Sequence, residues 1–173
     1  HFGYHVLVAV FNWMTGISVI ALTPIVAQLL KAGMALAAAF LAEALGARRS
    51  GSVVTAAVVG LICVFPAYYV NWGRNTQLTG LMLLAVLLGI IWLWCSAPPR
   101  WPTAGLVAVL AVGLALAHYR VTLMAAIGCA LIVAAHGWQA RWRWGVWRQR
   151  APHMAGMVLG ALLLISPWVW HVW

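Results

Sequence analysis

Residues 78–96 read Leu78-Thr79-Gly80-Leu81-Met82-Leu83-Leu84-Ala85-Val86-Leu87-Leu88-Gly89-Ile90-Ile91-Trp92-Leu93-Trp94-Cys95-Ser96 without a charged side chain. A helix that crosses a bilayer needs roughly 20 largely apolar residues, and this stretch meets that length. It is bounded by the polar segment Asn71-Trp72-Gly73-Arg74-Asn75-Thr76-Gln77 and by the stiff turn Pro98-Pro99-Arg100-Trp101-Pro102. Working outward, apolar runs of similar character occupy about 20–46, 52–68, 103–117, 121–137 and 154–170. They are apolar all round, so length and punctuation, not amphipathic period, mark their ends. Pro24 suits a first turn, and Gly46 suits a helix stop. Residues 1–19 are mixed and predict a short interfacial helix. The expectation is an all-α fold: a polytopic transmembrane helical bundle forming a single domain over 1–173, with six spanning helices.

The composition requires the same solvent. Of the residues, 66% are hydrophobic and 6% charged, whereas a water-soluble domain carries about 25% charged residues. Membrane lipids are therefore the main surroundings. The net charge of +9 does not signal nucleic acid, because the basic residues are scattered over short connections and Glu43 is the only acid. Loop 138–150 interleaves Trp with Arg, a pattern that can stack on single strands, but beside a membrane it anchors to an anionic leaflet. Cys63, Cys95 and Cys129 lie in or at the ends of apolar runs without pairing or metal spacing, and read as packing residues. The chain starts His1-Phe2-Gly3 and stops soon after an apolar run, so it reads as an internal piece of a longer protein.

Arginine counted in alternate connections gives a direction. One set holds Arg48, Arg49, Arg100, Arg141, Arg143, Arg148 and Arg150; the other holds Arg74 and Arg120. The positive-inside bias places loops 47–51, 97–102 and 138–152 in the cytoplasm. Arg74 and Arg120 are then the two arginines that the bias leaves unexplained. Each sits in a short aromatic connection, Tyr68-Tyr69-Val70-Asn71-Trp72-Gly73-Arg74 or His118-Tyr119-Arg120. The planar guanidinium fork matches phosphate, so the two predict one anion site on the outer side. Snorkelling to headgroups is the competing reading; Gly73, which permits a tight turn, tilts towards function.

Other candidates are weaker. His1 and His5 share a helical face but have no third ligand near, so no metal site is predicted. His118 with His171 could sit at equal depth as a haem pair, and a single His could ligate chlorophyll, but interfacial hydrogen bonding is the simpler role. Lys31, within the first run, is either functional or snorkelling. Glu43 reads as a partner for Arg48 or Arg49. No catalytic residue and no cofactor is legible, and no phosphate-binding glycine loop, nucleophile elbow or carboxylate pair occurs.

The stretch Pro66-Ala67-Tyr68-Tyr69-Val70-Asn71-Trp72-Gly73-Arg74-Asn75-Thr76-Gln77-Leu78 resembles a segment of large bacterial membrane proteins related to the GT-C glycosyltransferases. Those often carry Tyr where Asn75 stands. His1-Phe2-Gly3-Tyr4-His5 and His118-Tyr119-Arg120 resemble further pieces in the same order. The resemblance implies a bacterial inner-membrane protein and sugar transfer from a polyprenyl-phosphate donor on the extracytoplasmic side. Arg74 and Arg120 would then bind the donor phosphate, with Tyr69, Asn71, Trp72, His118 and Tyr119 lining the site. The family's acidic base in the first outer loop has no counterpart here; it would precede His1, and this piece alone would be inactive. The alternative from another class is a non-catalytic transmembrane subunit packed in a larger energy-transducing or photosynthetic complex.

Overall fold

The structure is a computed structural model that describes residues 3–139 and 144–172. The described residues form α1 (Gly3–Thr15), α2 (Val19–Ala44), α3 (Arg49–Ala57), a π-helical turn (Val58–Ile62), α4 (Val64–Asn71), α5 (Asn75–Ser96), α6 (Trp101–Ala117), α7 (Tyr119–Gln139) and α8 (Trp144–Val172). The fold is an all-α bundle. Five segments are long and apolar enough to cross a membrane: Val19–Ala44, Arg49–Asn71, Asn75–Ser96, Tyr119–Gln139 and Trp144–His171. The sixth expected span, α6, is a shorter apolar helix of 17 residues, because Pro102 fixes its start and the His118 junction stops it.

α5 is the centre of the bundle. It packs against α2, α6 and α7, while α8 lies along α6 and the α3–α4 segment lies against α2. Half of its most apolar window is buried, against 6% for the α3–α4 and α8 windows. Lipid tails are as apolar as leucine, so close packing of small residues, not hydrophobic burial, must hold such helices together. Gly89 shows this directly: a Cβ there would stand 2.6 Å from the Phe40 ring of α2. Gly80 likewise abuts α7, with the Cβ atoms of His118 and Val121 each 3.3 Å from the position its own would take.

The connections are tighter than the sequence suggests. Gly46 adopts φ +96°; its N–H donates to Glu43 O at 2.9 Å, and the Ala47 N–H donates to Ala42 O at 2.9 Å. This paired closure satisfies the last carbonyls of α2. Gly73 repeats the device at φ +65°, with Gly73 N–H to Val70 O at 3.1 Å and Arg74 N–H to Tyr69 O at 2.9 Å. The polar stretch expected as a loop over 71–77 is therefore a turn at 72–74, because the closed helix end hands directly to α5. The need for Gly at position 73 is explained by this helix stop, which removes it as a sign of function.

Three further boundaries differ from the sequence reading. α2 begins at Val19 behind Ser18, whose hydroxyl accepts from the Ala21 N–H at 3.4 Å, so Pro24 stands in the second turn. The stretch read as loop 138–150 is helical where it is described: α7 runs to Gln139 and α8 starts at Trp144. Arg, Gln and Trp do not oppose helix formation, so charge marks the end of the apolar core but not of the helix. Residues 140–143 of that stretch, including Arg141 and Arg143, lie outside the described residues. The second run, finally, is one interrupted helix. Pro66 has no N–H for the Ile62 carbonyl, and its ring crowds that carbonyl. The strain is taken up upstream by the π-turn, closed by Cys63 N–H to Val58 O at 2.7 Å, and by extended backbone at Cys63 (φ −70°, ψ 121°).

Candidate functional site

The end of the bundle where α5 and α7 begin carries the residues singled out in the sequence. α1 covers it. Tyr4 is buried, and its hydroxyl donates to Thr23 O of α2 at 2.6 Å. It also pairs with the side chain of buried Asn75, and burial raises the phenol's pKa. Tyr4, Val8, Leu22, Val26, Leu30 and Leu78 form an apolar cluster under this layer, with Tyr69 against it. The lone tyrosine hydroxyl of α1 thus ties that helix to two others at once.

Arg74 is the residue before α5, and Arg120 lies in the first turn of α7. Both are exposed. Each rests on an aromatic neighbour: Arg74 is 5.3 Å from the Trp72 ring centre and Arg120 is 5.6 Å from that of Tyr119. The Arg120 Nε–H also donates to the Tyr119 hydroxyl at 2.9 Å. The side chains therefore lie exposed at the starts of two packed helices, not buried in a shared pocket. From Arg74 to Gly80, which abuts His118 and Val121, is about 9 Å along α5 at 1.5 Å per residue.

The expected lining residues divide into two groups. Tyr69 and Trp72 belong to a ladder of rings on α4: Phe65–Tyr69 at 4.8 Å, Tyr68–Tyr69 at 6.0 Å and Tyr68–Trp72 at 4.7 Å between centres. Tyr69 accepts from Gln77 Nε2 at 3.2 Å, which fixes its hydroxyl to α5. Asn71 is exposed in the last turn of α4. His118 and Tyr119 form the junction between α6 and α7, their rings parallel within 2° and 5.8 Å apart. Burial lowers the His118 pKa, and the Arg120 charge lowers it further. A neutral imidazole at this junction leaves the arginines as the site's positive charge.

Electrostatics make this end receptive to anions. A helix N-terminus carries roughly half a positive charge and unsatisfied N–H groups. Neither α5 nor α7 has an acidic residue in its first turn, and each has an arginine at its start instead. Like signs are stacked, and a bound anion would relieve them.

The opposite end holds a residue that the sequence reading merged into the cytoplasmic arginine set. Arg150 of α8 is 8% exposed. Its guanidinium donates to the carbonyls of Trp94, Cys95 and Ala97, the latter two at 3.1 and 3.0 Å. These are the terminal carbonyls of α5, so Arg150 closes a helix end from another helix. A cavity of about 390 Å³ lies beside it, lined in part by Ser96, His136, Gln139 and Trp147. Spacing did not single it out, since Arg49 and Arg100 stand as near to the runs beginning at 52 and 103 as Arg150 does to the run beginning near 154.

Of the remaining candidates, Lys31 is half-buried on α2 and Glu43 is exposed near its end. Glu43 serves the fold through its carbonyl, which accepts from Gly46. His5 is exposed on α1, and its proposed companion His1 lies outside the described residues. Among the described residues no three His, Cys, Asp or Glu side chains are grouped to hold a metal. No protein-family model matches the chain, and no curated protein or solved structure was found to be similar to it.

Proposed function

We propose that this chain is part of a GT-C-like membrane glycosyltransferase, and that the α5–α7 end binds the phosphate of a polyprenyl-linked sugar. The observation that supports this reading is the pairing of two helix N-termini with Arg74 and Arg120, each arginine propped on a ring and unopposed by any acid. The ring ladder of α4 adds an apolar and sugar-stacking surface that leads to Arg74. The Arg-rich ends would face the cytoplasm of a bacterium and this end the outside. The catalytic acid would be supplied by sequence beyond this chain. Arg74→Ala and Arg120→Ala in the full-length protein are expected to lower lipid-linked sugar transfer by about tenfold or more each, the cost of one charge-assisted contact. Transfer at the parental rate in both variants would remove the proposal.

A second reading, a transmembrane subunit of a larger complex, is favoured by one observation. The interruption in the α3–α4 span is open on its outer side, with Leu61 86%, Ile62 73% and Val64 74% exposed. Interrupted backbone is tolerated at membrane depth only against protein or water, because lipid cannot bond the freed groups. A neighbouring helix would cover it. Cys63 is exposed at the interruption, so a maleimide-benzophenone attached to it in native membranes would photo-cross-link it to C–H bonds of such a neighbour. A Cys63 that alkylates freely and forms no cross-link would reject the subunit reading.

A further inference from the structure

We propose that the cavity beside Arg150 is a binding site for an anionic phosphate ester at the Arg-rich end of the bundle. This proposal stands apart from the reading of the α5–α7 end and does not depend on it. Arg150 carries a full positive charge in a buried position. Its bonds to the Trp94, Cys95 and Ala97 carbonyls occupy three of the five guanidinium donors. The end of a helix supplies only about half a negative charge. Glu43, the sole carboxylate side chain in the sequence, stands exposed on α2. The site therefore keeps positive charge that nothing in its carbonyl cap neutralises.

The remaining lining matches an oxyanion. His136 Nε2 is buried and makes no hydrogen bond among the described residues. Its ring is held edge-on to Trp92 at 4.7 Å, which fixes it at the cavity wall. Gln139, one turn further along α7, is exposed at the rim and offers an amide donor. The Ser96 hydroxyl donates to Trp92 O at 2.9 Å, so it contributes no free donor. Donors thus come from α7 and α8, with α5 as the floor, a spread that suits the several oxygens of phosphate better than a single-atom ion. The volume of about 390 Å³ exceeds what one inorganic ion needs. Basic pockets between membrane helices on the Arg-rich side hold lipid headgroups by this chemistry.

The test uses the purified full-length protein in an uncharged maltoside detergent with three separate probes. These are a short-chain phosphatidic acid, inorganic phosphate, and a short-chain phosphocholine lipid as the zwitterionic control. Native mass spectrometry counts bound lipid, and phosphorus NMR line broadening follows inorganic phosphate. The expected result is a saturable phosphatidic acid that remains when Arg74 and Arg120 are replaced by Ala, bound about tenfold more tightly than the phosphocholine lipid. His136→Leu with Gln139→Leu, which leaves the α5 cap in place, should weaken it by about fivefold or more. Arg74→Ala with Arg120→Ala should leave it unchanged, which separates failure here from failure at the other end. Inorganic phosphate bound with the same variant sensitivity identifies free phosphate as sufficient; lipid binding without it identifies a headgroup. No binding of either probe, or binding indifferent to the His136 and Gln139 changes, overturns the proposal.

Discussion

The guanidinium carbon of Arg150 lies 5.0 Å from the centre of the Trp94 ring, and the same guanidinium donates to the Trp94 carbonyl. One side chain of α8 therefore holds both the backbone end and the last buried ring of α5. Trp94 itself is 3% exposed. Replacing Arg150 by Met keeps the apolar stem but leaves the three carbonyls without their charged donor. The expected loss is about 2–3 kcal/mol, the range for a charge-assisted hydrogen-bond set. Lys at 150 should recover part of it, since it keeps charge without the fork. Reversible unfolding in mixed micelles measures this; a Met variant as stable as the parent would show that α6 alone holds α8.

Gly89 and Phe40 make the closest side-chain approach between α2 and α5 for which a Cβ has no room. Gly89→Val should destabilise the bundle by about 1–3 kcal/mol, as overpacking does. Phe40→Ala should be destabilising alone yet restore much of the loss in combination. The double-mutant cycle reads a coupling of about 1 kcal/mol or more, and additivity of the two changes would contradict the packing described.

The Tyr4 hydroxyl bond to Thr23 O joins α1 to α2 at 2.6 Å. Tyr4→Phe removes it while keeping the ring, and should cost about 1 kcal/mol. The effect should be local, so amide exchange in α1 is expected to speed up while α5 exchange stays the same. Equal acceleration in both helices would mean that α1 is part of the global cooperative unit.

Pro66→Ala returns an N–H to the Ile62 carbonyl and removes the ring that crowds it. Amide exchange at Val64 and Phe65 should slow as the helix closes over the π-turn. Unchanged exchange there would assign the interruption to tertiary packing and not to proline.

His118 has a folded-state pKa below its ordinary value, first through burial and then through Arg120. The unfolded chain thus binds the proton more readily than the folded one. Stability from this residue is full above about pH 6.5, the unfolded value, and falls as pH drops through the folded pKa. A melting series from pH 7.5 to 5.0 should show a decline that His118→Asn flattens. A slope identical in parent and variant would assign the pH dependence to the other histidines.

Much of this molecule was legible because lipid imposes a simple demand. The uncharged run 78–96 had to be a helix, and α5 is one; the other apolar runs likewise became helices at nearly the expected places. Gly46 stopped α2 as its sequence position implied. The same reasoning placed Arg74 and Arg120 at one end, since alternation of short connections fixes which ends coincide. Gly73 makes the tight turn its residue type implied, and it does so as a helix stop. Sequence reasoning split 138–150 from its helices, since charge was taken to end a helix when it ends only the apolar part.

Composition and run length along one chain dictate the solvent, the helices and their alternation. Packing in three dimensions settles which helix is central, that Tyr4 binds α1 to α2, and that Arg150 caps α5 across 53–56 positions of sequence. Such pairings depend on which faces of uniformly apolar helices meet. Hydropathy cannot encode that choice when every face is equally apolar; small residues, ring contacts and buried hydrogen bonds make it, and they exist only once the helices have packed.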